Sequence, residues 1–394
     1  MGPSRLSWLA YGLASALLGQ VASATQATQL EPIDILGNAP GRLVVRDNDY
    51  TKLDLLSTET FLWGGLSGKG KYALGNFTAY MPGKHENIIA MEKFYPWLKS
   101  TECTKDSLTM HFEDEEAYRY GAKAWKWVND AEDHTFVLVA GRGHCQWNED
   151  RLPFTITDVE FDDCANTIKA IGKATDWPKA THTYELFVGG RPASKKRDYD
   201  DSYSFDISQE LPLNKAAFTY DGVQLEYTCD GCGTSGEFEF AFHMKTEYMI
   251  PVDVELAVSP REVEAKFEPQ LKLSAQMGKV EMERSLGSIP IAGVSIAGGI
   301  LDLGPRIEFS LATEIELKGS AAISGGGTAS LEDSAQLTLD LLDAGVASSG
   351  WSPQFTPKPL TFDAALEGSL KVGLKTSVGL EVSALSKTTF DMVS

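Results

Sequence analysis

Apolar and polar residues alternate with a period of two along much of the second half of the chain. Over 238–258 the apolar side chains fall on even positions, and similar alternation returns over 263–277 and 362–384. Successive side chains of a strand point to opposite faces, so each stretch predicts a strand with one apolar face. These stretches exceed a common strand of about 3–10 residues. A two-residue hairpin loop would reverse the parity of the apolar positions. We therefore expect long, bent strands or odd-length turns in a large curved sheet.

The first half contains shorter strand patterns and one helix signal. Short apolar runs predict strands at 88–94, 107–112, 135–140 and 154–161. Asp114 is a suitable N-cap, and Glu115 and Glu116 match the positive end of the helix macrodipole. Apolar residues recur at helical spacing after them. The sequence therefore predicts a small α+β domain over 25–173, with one helix near 114–129.

Residues 174–216 have the composition of a connector, with Pro, Gly and charged residues and little apolar periodicity. Lys196-Arg197 in this segment is a possible dibasic processing site, although a solvated charged loop is the simpler interpretation. Cleavage there is expected to separate the two halves cleanly. Residues 217–394 predict an all-β domain. The expected fold class is mainly β, with a small α+β N-terminal domain followed by a large antiparallel β-sandwich or barrel with long strands.

The N-terminus has the features of a secretory signal peptide. Arg5 precedes a mostly apolar run over 6–21, and Ala22-Ser23-Ala24 forms an A-x-A cleavage signal. We expect residues 1–24 to be removed and the mature protein to be secreted. The run is shorter than the roughly 20 apolar residues of a membrane-spanning helix, and no later stretch predicts a transmembrane segment. The net charge of −20 disfavours nucleic acid and anionic lipid as partners.

Five cysteines are few for a chain of 394 residues, and in an oxidising compartment most of them should pair. Cys229 and Cys232 predict a local disulfide that closes a Gly-containing turn. A redox role for this pair is disfavoured because no helix signal follows it. Cys103 and Cys145 are the expected second pair, which leaves the partner of Cys164 open.

Asn76-Phe77-Thr78 is the single N-glycosylation sequon of the chain. If carbohydrate is attached to Asn76, we expect this segment to be a solvent-facing loop.

No catalytic or cofactor-binding motif is complete. The nucleophile elbow, the H-E-x-x-H motif, the P-loop and the three-glycine dinucleotide turn are all missing. No metal-binding spacing relates the six histidines, which are His85, His111, His134, His144, His182 and His243. We therefore expect no catalytic residue, no cofactor and no metal. A glycosidase needs only two suitably placed carboxylates, so that alternative stays open. Glu314 and Glu316 share a strand face, but such acids are usually solvated.

Two sets of segments carry a resemblance to a known family. In the first half they are 87–92, 108–112, 124–129, 134–141 and 144–148, together with Cys103. In the second half they are 229–232, 288–293, 303–305 and 349–353. These segments resemble a tandem of two uncharacterised domains, an α+β domain and a β-rich domain, found in secreted filamentous-fungal proteins. The resemblance implies a fungal extracellular or cell-surface protein, and it brings no established activity or catalytic residues.

The sequence therefore favours a secreted extracellular or cell-wall-associated protein with a non-catalytic binding or structural role. Its expected partner is a cell-wall polysaccharide or an extracellular protein. One alternative is a secreted carbohydrate-active hydrolase that uses paired carboxylates. A second is a lipid-binding or membrane-acting β protein, for which the apolar stretch 289–303 is the candidate element.

Overall fold

The computed structural model describes residues 27–33, 49–66, 72–81, 84–189, 203–220, 223–291, 293–343, 345–363, 367–384 and 388–393. The expected signal peptide at 1–24 and the dibasic pair Lys196-Arg197 lie outside these residues.

Ten strands precede residue 190 in the described chain. They are β1 (Thr28–Ile33), β2 (Thr58–Leu66), β3 (Tyr72–Tyr80), β4 (Glu86–Ala90), β5 (Leu98–Cys103), β6 (Ser107–Phe112), β7 (Thr135–Ala140), β8 (Leu152–Asp162), β9 (Thr167–Ala174) and β10 (Thr183–Gly189). The α-helices of this part are α1 (Glu115–Trp125) and α2 (Trp177–Ala180). Short 3-10 helices occupy Tyr50–Leu53, Met91–Lys93, Tyr95–Trp97 and Lys126–Asp130.

From residue 203 onward the described chain is composed of strands and their connections. The first seven strands are β11 (Tyr203–Asp206), β12 (Gln209–Glu210), β13 (Lys215–Tyr220), β14 (Val223–Thr228), β15 (Gly233–Glu247), β16 (Ile250–Phe267) and β17 (Gln270–Pro290). The remaining seven are β18 (Val294–Ile296), β19 (Leu301–Ser330), β20 (Gln336–Asp340), β21 (Gly345–Ser349), β22 (Gln354–Asp363), β23 (Glu367–Ala384) and β24 (Thr388–Val393). The mainly β fold class is confirmed.

Six strands form the small sheet, in the order β4-β7-β8-β9-β6-β5. The predicted helix is present as α1 and continues as the 3-10 helix Lys126–Asp130. The Asp114 side chain caps α1 by accepting a hydrogen bond of 2.9 Å from the Ala117 amide. On the buried face of α1, Trp125 is fully enclosed and donates from Nε1 to the carbonyl of Leu53 at 2.8 Å. Capping and burial of one face therefore both fix α1 against the small sheet.

β4 and β7 are parallel neighbours that are buried on both faces. Ile88 and Val137 belong to the core of the large sheet, whereas Ile89 and Leu138 belong to the core of the small sheet. A strand that is buried on both faces is apolar at almost every position, which explains the continuous apolar run of β7. These two strands connect the two hydrophobic cores.

Long, continuous strand runs form the centre of the large sheet. β14 and β15 lie antiparallel to β17 and β16, respectively. The run from β16 through β17 to β18 follows one edge of β19, and β22 and β23 pair with its other edge. On β15, Phe240, Phe242 and Met244 are buried, as the alternation predicts. The expected long strands are therefore confirmed.

These long runs change course at one common level of the sheet. The disulfide Cys229–Cys232 separates β14 from β15, and Glu268-Pro269 separates β16 from β17. β19 has a register shift next to Gly325-Gly326 at the same level. The Glu268 amide donates to the Cys232 sulfur at 3.2 Å, and the Gly325 amide donates to the Pro269 carbonyl at 3.4 Å. The irregularities of three neighbouring strands thus form one bend.

The turn between β15 and β16 corrects one expectation. It is the two-residue loop Tyr248-Met249, with Glu247 paired to Ile250. Both loop residues have positive φ, of 49° and 65°, as a tight hairpin requires. A register shift follows at once, because Val252 has no partner on β15. This bulge adds one residue to β16 and restores the parity that a two-residue loop reverses.

The small domain is inserted into the large sheet, which differs from the expected boundaries at 173 and 216. β10 pairs with β3 on one side and with β15 on the other. β1 pairs with both β2 and β18. The expected linker therefore contains β10, β11 and β12, all paired with β15. Tyr184, Leu186 and Val188 of β10 are buried in alternation, but this short pattern is surrounded by Pro, Gly and charged residues.

Aromatic side chains fill the core of the large sheet near this insertion. Trp177 of α2 is enclosed by Phe61, Trp63 and Phe77, at ring-centroid distances of 5.1, 6.2 and 5.1 Å, respectively. Phe77 in turn packs on Tyr184 of β10 at 5.3 Å. The strands on both sides of the inserted domain therefore share one tightly packed aromatic core.

Candidate functional site

The loop over 141–150, which joins β7 to β8, exposes aromatic surface on the small domain. Trp147 in this loop is 52 % exposed, and Tyr95, which contacts the loop through His144, is 40 % exposed. The Tyr95 ring stacks on the imidazole of His144, with centroids 3.7 Å apart and planes 6° from parallel. We call Tyr95, His144 and Trp147 the aromatic surface. Large aromatic side chains usually lose most of their exposure on folding, so two exposed aromatic residues at one loop mark a candidate binding site.

A disulfide and a buried amide hold this loop in place. Cys145 is bonded to Cys103 at the end of β5. The Asn148 side chain is buried, accepts from the Cys145 amide at 2.9 Å and donates to the Gly141 carbonyl at 2.8 Å. The Thr101 hydroxyl donates to the His144 carbonyl. These contacts therefore fix the backbone of the loop that carries His144 and Trp147.

Gly141 allows the loop to approach its neighbours closely. A Cβ atom at this position would lie 2.7 Å from Cε1 of His144 and 2.8 Å from Cγ of Glu92. The Gly141 amide donates to Nδ1 of His144 at 3.1 Å. Since Nδ1 accepts this hydrogen bond, the neutral imidazole of His144 carries its proton on Nε2.

A buried ion pair lies beneath the loop and fixes its C-terminal end. Nε of Arg151 is 2.8 Å from Oε1 of Glu92, and these side chains are 0 % and 6 % exposed. The Arg151 guanidinium also donates to the carbonyls of Leu62 and Ile33, both at 2.7 Å, and lies 4.6 Å from the ring centroid of Trp63. The Glu92 carboxylate neutralises the buried charge of Arg151, and the two carbonyls accept hydrogen bonds from its guanidinium. The pair therefore connects the small domain to β1 and β2.

Two carboxylates at the loop, Glu92 and Asp150, have structural partners, whereas Glu149 within the loop is exposed. Glu92 is paired with Arg151, and Asp150 accepts hydrogen bonds from Nε1 of Trp63 at 3.4 Å and from the Arg151 amide at 2.6 Å. At the rim, Arg142 forms an exposed ion pair with Glu31 at 2.7 Å. What this region offers to a ligand is the flat apolar surface of Tyr95 and Trp147, which suits the binding of a flat ligand face.

The sequence-predicted residues lie in several separate parts of the fold. The disulfides Cys103–Cys145 and Cys229–Cys232 are both present, and Cys164 is a free, exposed cysteine. Cys103–Cys145 belongs to the candidate site, whereas Cys229–Cys232 lies at the bend of the large sheet. Asn76 is half-buried in β3, between β2 and β10, and not in a loop. Its glycosylation stays a prediction.

Of the acidic pair considered for a hydrolase, Glu314 is the member whose side chain the structure describes. Glu314 of β19 is ion-paired with Lys371 of β23 at 2.8 Å. The side chain of Glu316 is outside the described part of the structure.

Sequence reasoning missed the aromatic surface and a cluster of His85, Asp133 and His134. Tyr95 and Trp147 are far apart in the sequence and have no shared periodicity. The available signal was local: Trp147 follows Cys145 in a segment rich in turn-forming residues, where exposed aromatic residues are uncommon.

The comparisons with known families divide the chain into two domains. Residues 81–185 match a domain of unknown function, DUF7029, and residues 205–392 match a second domain of unknown function, DUF7223. The chain carries these two domains in tandem. The DUF7029 domain contains the whole small sheet, the aromatic surface and the beginning of β10. β1, β2 and β3 precede both matches and nevertheless pair within the large sheet of the DUF7223 domain.

Neither a curated protein nor a solved structure matches the chain. In the described residues, no helix has the length and apolar character needed to cross a membrane.

Proposed function

We propose that the protein is secreted, is associated with the extracellular space or the cell wall, and has a non-catalytic binding role. The observation that carries this proposal is the aromatic surface of the DUF7029 domain. Trp147 lies in a disulfide-anchored loop, Tyr95 stacks on His144 of that loop, and the carboxylates of Glu92 and Asp150 are engaged in structural contacts. The proposed ligand is a polysaccharide of the cell wall, whose sugar rings offer flat C–H faces to the side chains of Tyr95 and Trp147.

Several features support this proposal. The signal-like N-terminus and the paired cysteines agree with a secreted protein. A ligand site that is preformed avoids the entropic cost of ordering a loop on binding. A wall-associated glycoprotein modified at Asn76 is part of the same proposal.

The test is retention of the purified protein on insoluble chitin, β-glucan and mannan, with soluble sugar measured in the same samples. We expect retention without release of sugar. Trp147→Ala and Tyr95→Ala should each lower the retained fraction at least about tenfold, since such aromatic contacts are typical binding hot spots. Phe355→Ala is the matched control, because Phe355 is an exposed aromatic residue, at 62 %, in β22 of the other domain.

Four outcomes would overturn the proposal. Release of sugar that is abolished by changing one carboxylate would make the protein a carbohydrate-active hydrolase. Retention that is equally strong in all the variants, or absent from every polysaccharide, would remove the aromatic surface as a polysaccharide site. Binding to lipid vesicles in place of polysaccharide would favour the lipid-binding alternative.

A further inference from the structure

Two histidines that are distant in the sequence come together at one end of the small sheet. His85 directly precedes β4, and His134 directly precedes β7. Since β4 and β7 are parallel neighbours with Glu86 opposite Thr135, the residue before each strand occupies an equivalent position. The Thr135 amide donates to the His85 carbonyl at 2.8 Å, which continues the ladder to this point. The parallel pairing therefore places the two imidazoles side by side, with ring centroids 5.2 Å apart.

A carboxylate completes this group. Oδ2 of Asp133 lies 3.7 Å from Nε2 of His85. One ligand atom from each of His85, Asp133 and His134 lies within 4.8 Å of the others. His85 and Asp133 are more than half exposed, at 52 % and 67 %. These two side chains are therefore accessible from solvent.

The contacts of His134 fix its ring and leave Nε2 as the nitrogen that can coordinate a metal. Its Nδ1 lies 2.7 Å from the carbonyl oxygen of Trp127. A carbonyl oxygen only accepts, so Nδ1 carries the proton, and Nε2 carries the lone pair in the neutral ring. The indole of Trp127 also stacks on the ring, with centroids 4.1 Å apart and planes 12° from parallel. Metal-bound histidines characteristically donate their other N–H to a carbonyl or a carboxylate in this way.

We propose that His85, Asp133 and His134 form a binding site for a divalent transition-metal cation of the Zn²⁺ type. Two imidazoles and one carboxylate are a donor set that suits such ions, with water in the remaining position. Tetrahedral ligands at about 2.0–2.2 Å from Zn²⁺ lie about 3.4 Å from one another. The present separations of up to 4.8 Å exceed this value, so metal binding requires the exposed side chains of His85 and Asp133 to move closer to His134. The site is separate from the aromatic surface and does not depend on the proposed polysaccharide binding.

The test is calorimetric titration of Zn²⁺ into the full chain, without a polyhistidine tag. We expect one saturable site per chain and a rise in Tm with excess Zn²⁺, because an ion that binds only the folded state stabilises it. His85→Ala and Asp133→Asn should each weaken binding at least about 100-fold, as expected for the loss of one of three ligands. His182→Ala is the matched control, since it removes an exposed histidine outside the cluster and should leave the affinity unchanged.

A second variant tests the positioning role of Trp127. Trp127→Phe keeps a ring against His134 and should retain binding, whereas Trp127→Ala should weaken Zn²⁺ binding about tenfold. Electron paramagnetic resonance of the Cu²⁺-loaded chain should show coupling to two imidazole nitrogens, reduced to one with His85→Ala. The proposal fails if the wild-type chain has no saturable Zn²⁺ site, or if His85→Ala and His182→Ala bind Zn²⁺ equally well.

Discussion

At the scale of single residues, Tyr227 places a hydroxyl group inside the core of the large sheet. The residue is 1 % exposed, and its oxygen has no hydrogen-bond partner among the described residues. A buried hydroxyl without a partner costs about 1–3 kcal/mol. Burial also raises the pKa of Tyr227 to about 12, because the ionised form is poorly solvated there.

We expect Tyr227→Phe to raise the free energy of unfolding by about 1–2 kcal/mol at neutral pH, since it removes the unpaired hydroxyl and keeps the ring. In the wild type, the unfolded state ionises near pH 10 and the folded state near pH 12. The folded state therefore binds more protons in this window, and stability falls by about 1.4 kcal/mol per pH unit for this residue. Tyr227→Phe should lack this contribution of Tyr227 to the loss of stability between pH 10 and pH 12.

Urea unfolding at several pH values between neutrality and pH 12 measures both effects. Tyr248→Phe is the control, because Tyr248 is 71 % exposed at the hairpin tip and a surface change of this kind stays within about 0.5 kcal/mol. If Tyr227→Phe destabilises the protein at neutral pH, the hydroxyl has a partner that outweighs its burial.

At the scale of elements, the bend of the large sheet depends on Gly326 of β19. This residue has φ +150°, and a Cβ atom there would lie 1.9 Å from the carbonyl oxygen of Phe267. Gly326→Ala should therefore lower the free energy of unfolding by at least about 2 kcal/mol, through backbone strain and a clash with the main chain. Gly304→Ala is the control in the same strand, since no atom lies within 4 Å of its Cβ position. Equal stability of the two variants in urea unfolding would contradict this role of Gly326.

Local patterns explain which elements were predictable. α1 was predictable because Asp114 provides a cap and the apolar spacing is helical over three turns. The long strands were predictable because alternation records which face is buried. The two-residue loop Tyr248-Met249 was not predictable from the sequence. The bulge at Val252 cancels the change in the parity of apolar positions that such a loop would otherwise produce. A bulge leaves no trace in a pattern that is read one strand at a time.

The features that could not be predicted from the sequence depend on contacts between strands that are distant along the chain. The pairing of β4 with β7 brings His85 to His134, and no spacing of histidines along the chain encodes a parallel ladder. The pairing of β10 with both β3 and β15 likewise depends on strands on either side of the inserted domain. The two disulfides were easier to predict from the sequence, since only five cysteines were available and one pair was local.

At the scale of the whole molecule, the insertion changes the consequence of a cut at Lys196-Arg197. β1 and β10 precede this dipeptide, whereas their partners β18 and β15, respectively, follow it. The halves also share one hydrophobic core, in which Tyr184 and Leu186 from the first half meet Phe242 and Met244 from the second. Each disulfide lies within one half. The two halves are therefore held together by strand pairing and apolar burial and not by a described disulfide.

We expect a chain that is cut after Arg197 to remain one particle, contrary to the clean separation that the linker interpretation implies. Separation would remove β10 from β15 and β1 from β18, and would expose the apolar faces of these strands to water. The cut chain should elute as one species in size-exclusion chromatography under native conditions. The same sample should elute as two fragments in concentrated guanidinium chloride, without a reductant. Two separate, folded fragments under native conditions would show that each half completes its own core, and would contradict the shared sheet.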